Sequence, residues 1–370
     1  MGLIKDIYSR SFYDRFCQTL ALVIPSFDKG KFIDLIYSDE FKNMEWKERM
    51  KHTTRVLHNF LPEDYTEAFL MIEKIIDQLR AENFGEDGLA FVFLADYIET
   101  YGLDDFDTSV KAFEIVTQFI SCEFAVRPFL IKYGNRMIDQ MVVWSRHESY
   151  KVRRFASEGS RPRLPWAMAI PALKKDPRPL FPILENLKND PSEYVRRSVA
   201  NNINDIAKDH PGLVIELAGR WKGISKQTDA IIKHGSRTLL KQGHTEILKH
   251  YGLLSTSIAV TGLTILTPEV KIGDSLEFTF NLQNQSDKVQ TVRLEYGIYY
   301  RKAKGHLARK VFKISEKSYQ PGETAVVRRK QSFRLITTKV FYAGQHQLSV
   351  IVNGEEKDIQ PFEILEVCIL

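Results

Sequence analysis

The sequence predicts a multidomain α + β protein, an N-terminal all-α repeat solenoid followed by a β-sandwich. Three observations predict it. Apolar residues recur at helical spacing from the N-terminus to about residue 250, and one seven-residue stretch returns 43 residues after itself. Apolar–polar alternation of the strand type begins only after residue 255. At 370 residues the chain is long enough for two or three domains. Its 44% hydrophobic and 27% charged content excludes a disordered or low-complexity protein.

Phe12, Phe16 and Leu20, then Phe32, Leu35 and Ile36, fall at spacings of three and four, with Pro25 and Pro62 as interruptions. From Asp64 the pattern tightens into the stripe Phe69, Ile72, Ile75, Ile76 and Leu79, which an Asn83-Phe84-Gly85 turn ends. Further helices follow with short polar joints. Glu148-Ser149-Tyr150-Lys151-Val152-Arg153-Arg154 then returns as Pro191-Ser192-Glu193-Tyr194-Val195-Arg196-Arg197. That period, opened on a helix by Val-Arg-Arg, fits the helix pairs of HEAT-like solenoids, which run to about 40–47 residues. Lys233-His234-Gly235-Ser236-Arg237 reads as a degraded third copy.

After Gly252 the character changes. Leu276, Phe278, Phe280 and Leu282 alternate with polar residues, as do Val292, Leu294, Tyr296 and Ile298, and then Leu348, Val350 and Val352. Pro321-Gly322 and Asn353-Gly354 mark turns, the second a favoured hairpin pair. These signals predict a HEAT-like helical domain over 1–254 and an immunoglobulin-like sandwich over 257–370, with the boundary near 252–257. Cys17, Cys122 and Cys368 lie far apart, without metal-ligand spacing, and Cys368 has no partner for an intersheet disulfide. No Walker motif or dinucleotide fingerprint is present, and the nine histidines show no ligand spacing, which disfavours a zinc nuclease.

The net charge of +5 conceals a strong asymmetry. Residues 1–120 carry 13 basic and 22 acidic residues, 121–255 carry 23 and 13, and 256–370 carry 16 and 12. A polyanionic partner for the middle and end of the chain explains this, as does a solvated basic face with no partner. No apolar run reaches the roughly 18 residues of a spanning helix. Lys5, Asp6 and Arg10 occupy the place of a signal-peptide core. The expectation is a soluble cytoplasmic protein without a membrane.

In a solenoid one helix of each pair lines a concave face. With Val152, Phe155, Ala156 and Gly159 inward, Lys151, Arg154 and Glu158 share a stripe. With Val195, Val199, Ile203 and Ile206 inward, so do Arg197, Asn201 and Asp205. Glu123 and Arg127 repeat the pairing upstream. Salt bridging on a solvated face accounts for such pairs, each contributing about 0.2–0.5 kcal/mol. The other account is that cations receive a polyanion while Glu123, Glu158 and Asp205 face an electron-deficient centre, as at a glycosidic bond under cleavage. Between Gly159 and Trp166, Pro162 and Pro165 fix a loop carrying Arg161 and Arg163, a pair suited to phosphate. Trp166 is either a stacking platform or a buried staple. In the sandwich, Arg301, Lys302 and Lys304 belong to a basic ten-residue segment around Gly305 that either grips a duplex or is a solvated hairpin.

Val152-Arg153-Arg154-Phe155-Ala156-Ser157-Glu158-Gly159-Ser160-Arg161-Pro162-Arg163-Leu164-Pro165-Trp166 resembles the signature of the AlkC branch of DNA alkylation-repair glycosylases. Glu123-Phe124-Ala125-Val126-Arg127-Pro128-Phe129 is similar to a second segment of that family. The resemblance covers residues 1 to about 250, and some members carry a C-terminal immunoglobulin-like domain. It implies a monofunctional bacterial glycosylase excising cationic N3-alkylated bases, 3-methyladenine above all, from alkylated double-stranded DNA, and leaves open whether 3-methylcytosine is a second substrate. It further implies Glu158, Glu123 and Asp205 as catalytic carboxylates and Trp166 beside the lesion. The expected DNA contacts are Arg127, Lys151, Arg154, Arg161, Arg163, Trp166, Arg197, Arg301, Lys302 and Lys304. No cofactor and no metal are implied, and a monomer is expected. A non-catalytic HEAT scaffold and a repeat protein that binds nucleic acid without cleaving it are the competing functions.

Overall fold

The computed structural model describes residues 3–253, 257–335 and 340–365. Cys368 and part of the expected 252–257 boundary lie outside them. The first helices are α1 (Arg10–Val23), α2 (Lys29–Ile36), α3 (Trp46–His58) and α4 (Tyr65–Ala81). Ser9, Asp28 and Asp64 accept hydrogen bonds from first-turn amides of α1, α2 and α4. The α4 stripe is buried throughout, and positive φ at Asn83 and Gly85 makes the turn that follows. Leu35 departs from its expected core place and is exposed, while Phe32 and Ile36 beside it are buried.

Next come α5 (Val92–Tyr101), α6 (Phe106–Val116), α7 (Arg127–Tyr133), α8 (Asn135–Trp144), α9 (Tyr150–Gly159) and α10 (Pro171–Lys175). The last helices are α11 (Phe181–Leu187), α12 (Glu193–Ala207), α13 (Pro211–Trp221), α14 (Lys226–Gly235), α15 (Arg237–Gln242) and α16 (Thr245–His250). Helix α12 packs between α9 and α14. The Asn202 side-chain amide donates to the Ser157 carbonyl at 2.9 Å, fixing α12 on α9. On the other side Gly235 lets α14 approach closely, since a Cβ there would lie 2.6 Å from Ile203.

The recurring Val-Arg-Arg has a structural cause. Arg153 Nη1 donates to the carbonyls of His147 and Glu148, six and five residues back, at 2.9 and 2.7 Å. Arg196 Nη1 does the same to Asp190 and Pro191, at 2.7 and 2.8 Å. The first arginine of each copy thus satisfies the carbonyls of the joint before its helix, which lack helical partners. The expected third copy is out of phase. Helix α14 opens at Lys226, 33 residues after Glu193, so Lys233-His234-Gly235 lies at its end and not its start.

By internal contacts the chain forms two compact units, residues 1–210 with 221–235, and residues 211–220 with 236–370. Among the described residues the second contains α13 up to Arg220, α15, α16 and eight strands: β1 (Ile258–Ile265), β2 (Glu269–Lys271), β3 (Ser275–Asn284), β4 (Gln290–Arg301), β5 (Leu307–Tyr319), β6 (Thr324–Ser332), β7 (Gly344–Val352) and β8 (Glu355–Leu365). They build a three-stranded sheet, β1-β3-β6, and a five-stranded sheet, β2-β8-β7-β4-β5, antiparallel except where β2 runs parallel to β8. Phe278, Phe280, Leu294, Ile298, Leu348 and Val350 lie in one core cluster.

The expected alternation holds in β3 and fails in β4, where Arg293, Glu295 and Gly297 are buried as well. Burial of that second face is made tolerable by an ion pair of 2.7 Å between Arg293 and Glu295. The Asn353-Gly354 turn has φ of 48° and 80°, as a two-residue hairpin requires. The β4–β5 hairpin turns at Gly305, and β5 begins at Leu307, inside the basic segment around that glycine.

Candidate active site

The signature helix α9 ends at Gly159, and the chain turns back at Ser160 to send Arg161 into the space beside α12. Arg161 Nη1 donates to Glu158 Oε1 at 2.6 Å, and Arg161 Nε donates to Asp205 Oδ2 at 2.8 Å. The other Asp205 oxygen accepts from Lys208 Nζ at 2.9 Å. Glu158 is 5% exposed and Asp205 1%. These carboxylates therefore lie in a recessed ionic network and not on the solvated stripe that helical spacing suggested. Helix α12 is buried on nearly all sides in its second half, which a one-face reading of its pattern misses.

A second pair adjoins it. Arg154 Nη1 donates to Glu123 and to Ser121 Oγ, and Ser121 Oγ donates to Glu123 at 2.6 Å. Glu158 lies 3.8 Å from Arg154, so the three predicted carboxylates form one connected cluster with two arginines. Burial works against the charge of Arg154, but Glu123 and Glu158 outweigh it and hold its pKa above the usual value. The same balance, with Glu158 and Asp205 as the acids, raises Arg161. The ring of Tyr194 lies 4.8 Å from the Arg154 guanidinium. Tyr194 sits at the second position of α12, and no sequence signal beyond the repeat marked it.

Arg127 is fully buried and holds the signature loop from beneath. Its Nη1 donates to the Gly159 and Arg161 carbonyls at 3.0 and 2.9 Å, and its Nε to the Met168 carbonyl. Burial, followed by the nearby Arg161 charge, lowers its pKa to about 10. Direct phosphate contact was expected of Arg127 and Arg161. The structure instead places both inside, with their donors turned to the protein, because the loop's own carbonyls and two carboxylates need them.

The other expected DNA contacts divide in two. Lys151 donates to Glu86 at 2.7 Å, Asp87 at 3.1 Å and the Gln118 carbonyl at 3.1 Å, and Arg154 is turned to Glu123. Arg163 is held bidentate by Asp209, at 2.6 and 3.0 Å, and Arg197 pairs with Glu193 at 2.6 Å, both nearer the surface. Arg197 also lines a groove of about 710 Å³ between α12 and α14, with Asn201, Lys226 and His234. Trp166 is 66% exposed, with its carbonyl accepting from Lys47. Arg301, Lys302 and Lys304 are exposed around the β4–β5 hairpin in the second unit.

Among the described residues no cluster of three or more His, Cys, Asp or Glu is arranged to hold a metal, and no helix is long and apolar enough to cross a membrane. What the site offers is carboxylates fixed in direction and largely withdrawn from solvent. Such charge is weakly screened and favours a cation at close range.

Comparison with known proteins bears on the family and the fold. Residues 259–366 match the model of the C-terminal Ig-like domain of the uncharacterised protein YhaZ, and residues 180–210 match the HEAT repeat. The chain is 43% identical to YhaZ of Bacillus subtilis strain 168 over 365 residues, covering 98% of this chain and all of that one. It also superposes, with a TM-score of 0.92 and 34% identity, on the Pseudomonas fluorescens alkylpurine DNA glycosylase AlkC bound to DNA containing an abasic site analog, covering 98% of this chain and all of that chain. Identity at this level over both helical and sandwich parts means that the chain belongs to the AlkC family of alkylpurine DNA glycosylases.

Proposed function

We propose that this protein is a monofunctional DNA glycosylase that releases cationic N3-alkylated bases from duplex DNA, 3-methyladenine foremost and 3-methylcytosine second. The cytoplasm is its place of action and the monomer its working form. The observation that carries this reading is the buried cluster of Glu158, Asp205 and Glu123 around Arg161 and Arg154.

An alkylated base already carries a positive charge, so the pair of electrons in the N-glycosidic bond leaves with it and neutralises it. No strong general acid is needed. As the base is neutralised the positive charge passes to the sugar as oxocarbenium character at C1′, and the fixed carboxylates favour charge at that position over charge on the base. Water then adds to C1′ and gives up a proton, leaving an abasic site. Arg161 and Arg127 act as positioning groups, one setting the spacing of Glu158 and Asp205 and the other holding the loop. Phosphates fall to the outer cations, Arg163 and Arg197 in the first unit and Arg301, Lys302 and Lys304 in the second.

The decisive experiment incubates the protein with duplex DNA methylated by an alkylating agent and identifies the released bases by chromatography. Release of 3-methyladenine, lost in Glu158→Gln, is the expected result. Tight DNA binding without base release supports the non-cleaving alternative.

A further inference from the structure

Trp166 combines two features that need support from outside. Its backbone φ of 64° lies in the left-handed region that side chains rarely adopt, and its large indole is mostly exposed. A residue in that conformation persists only where its surroundings fix it. Within the loop the local bonds are Ala167 N–H to the Leu164 carbonyl and Ile170 N–H to the Pro162 carbonyl, both 3.2 Å, and neither touches Trp166 itself.

The group that does touch it comes from far away in sequence. Lys47, in the first turn of α3, donates from Nζ to the Trp166 carbonyl across 119 positions. The same ammonium lies 5.6 Å from the ring centroid of Phe124, the residue after Glu123, and within electrostatic range of Glu99 on α5. Its neighbour Trp46 is buried, with its ring 6.2 Å from that of Trp166 and inclined at 53°. One cation thus ties the start of α3 to the signature loop and to the Glu123 segment. Arg127 grips the same loop at the Gly159, Arg161 and Met168 carbonyls. In sequence Trp166 lies between Arg161 and Met168, both held by Arg127, and of the two cations only Lys47 bonds Trp166 itself.

We propose that Lys47 is a positioning residue for the glycosylase reaction, fixing the left-handed backbone of Trp166 so that its indole is presented to the damaged nucleotide. The proposal rests on the function given above. It draws the acidic N-terminal region, through α3, into the support of the site. A lysine suits the task because its single charged head, on a flexible stem, reaches a carbonyl and an aromatic face together.

The test uses the full chain and compares Lys47→Met, Lys47→Arg, Trp166→Ala and the Lys47→Met/Trp166→Ala double variant. The readouts are single-turnover release of 3-methyladenine at saturating protein, DNA affinity against salt, and melting temperature. Lys47→Met is expected to slow release about tenfold with little change in melting temperature or in the salt slope. Lys47→Arg should recover most of the rate. The double variant should be no slower than Trp166→Ala alone, because the two residues act as one unit. A wild-type rate in Lys47→Met, or a further tenfold loss on top of Trp166→Ala, overturns the proposal. So does a salt slope flatter by about one, which would make Lys47 a phosphate ligand.

Should the wild-type protein release no base, the glycosylase reading fails but the contact is still testable. Iodide quenching of the Trp166 fluorescence, taken as wild type minus Trp166→Ala, should change in Lys47→Met if Lys47 fixes the indole. Unchanged quenching overturns the positioning role.

Discussion

Glu158 and Asp205, 47 positions apart in sequence, share the single guanidinium of Arg161, at 2.6 and 2.8 Å. Neither carboxylate is fully compensated by it, and each has a second cation within 4 Å, Arg154 for one and Lys208 for the other. The charge of the site is therefore nearly balanced at rest, with negative ends fixed in direction.

Removing one of those charges without changing shape isolates its part in the chemistry. Glu158→Gln keeps an acceptor for Arg161 and should lower single-turnover excision by a factor of ~10² or more, about 3 kcal/mol. Affinity for undamaged duplex should hold or rise, since a negative charge is gone. An unchanged excision rate would remove Glu158 from the catalytic group.

Arg161 and Arg163 stand two positions apart and should fail in different ways. Arg161→Ala leaves two buried carboxylates facing each other and should cost about 3–5 kcal/mol of folding stability, measured by urea denaturation. Arg163→Ala, whose partner Asp209 is partly exposed, should leave stability nearly intact and flatten the slope of log affinity against log salt by about 1. Equal effects on stability would mean that both are structural.

Glu99 gives a pH dependence of known sign. Burial, and after it the Asp96 carboxylate, raise its pKa from 4.5 to about 7. The folded state then holds the proton more tightly than the unfolded chain. Its contribution to stability is complete below about pH 4.5 and is lost as pH rises through about 7. Denaturation curves collected across that window should show a smaller decline in Glu99→Gln than in wild type. Parallel declines in the two proteins would assign the effect to another group.

The β4–β5 hairpin is tested by charge. Reversing Arg301, Lys302 and Lys304 to Glu in the full chain should weaken duplex binding, while excision at saturating protein recovers, because a linked second contact raises effective concentration without entering the reaction. Unchanged affinity would take the hairpin off the DNA-binding surface and point to a protein partner.

Much of this was legible in the sequence because it is local. The α4 stripe and the Asn353-Gly354 turn follow from spacing and turn chemistry within a dozen residues, and the openings of α9 and α12 from a short stretch that returns after 43. What escaped depends on long-range packing. That Arg127 and Arg161 point inward is set by carbonyls and carboxylates up to 44 positions away. Lys47 carries no pattern of its own, and its role exists only where α3 meets the signature loop. The alternation in β4 fails because polar residues on its second face are buried against neighbours that no periodicity can announce. The false third repeat has the reverse cause, since a similar stretch fell by chance at the end of a helix of different phase.

The arginine that closes each inter-helix joint makes that joint a ruler. Arg153 and Arg196 reach back to carbonyls five and six residues earlier, so one residue inserted into or deleted from segments 147–149 or 190–192 would carry those carbonyls out of range. Evolutionary length changes should therefore collect elsewhere, and a repeat unit can be transplanted only as a block running from joint to arginine. Asp190 binds the two blocks in series, its carboxylate taking Arg153 while its carbonyl takes Arg196. A length error in the second joint would thus be felt in the first, at the start of the helix that carries Arg154 and Glu158, and the arrangement guards that helix against insertions and deletions far more strictly than against substitutions.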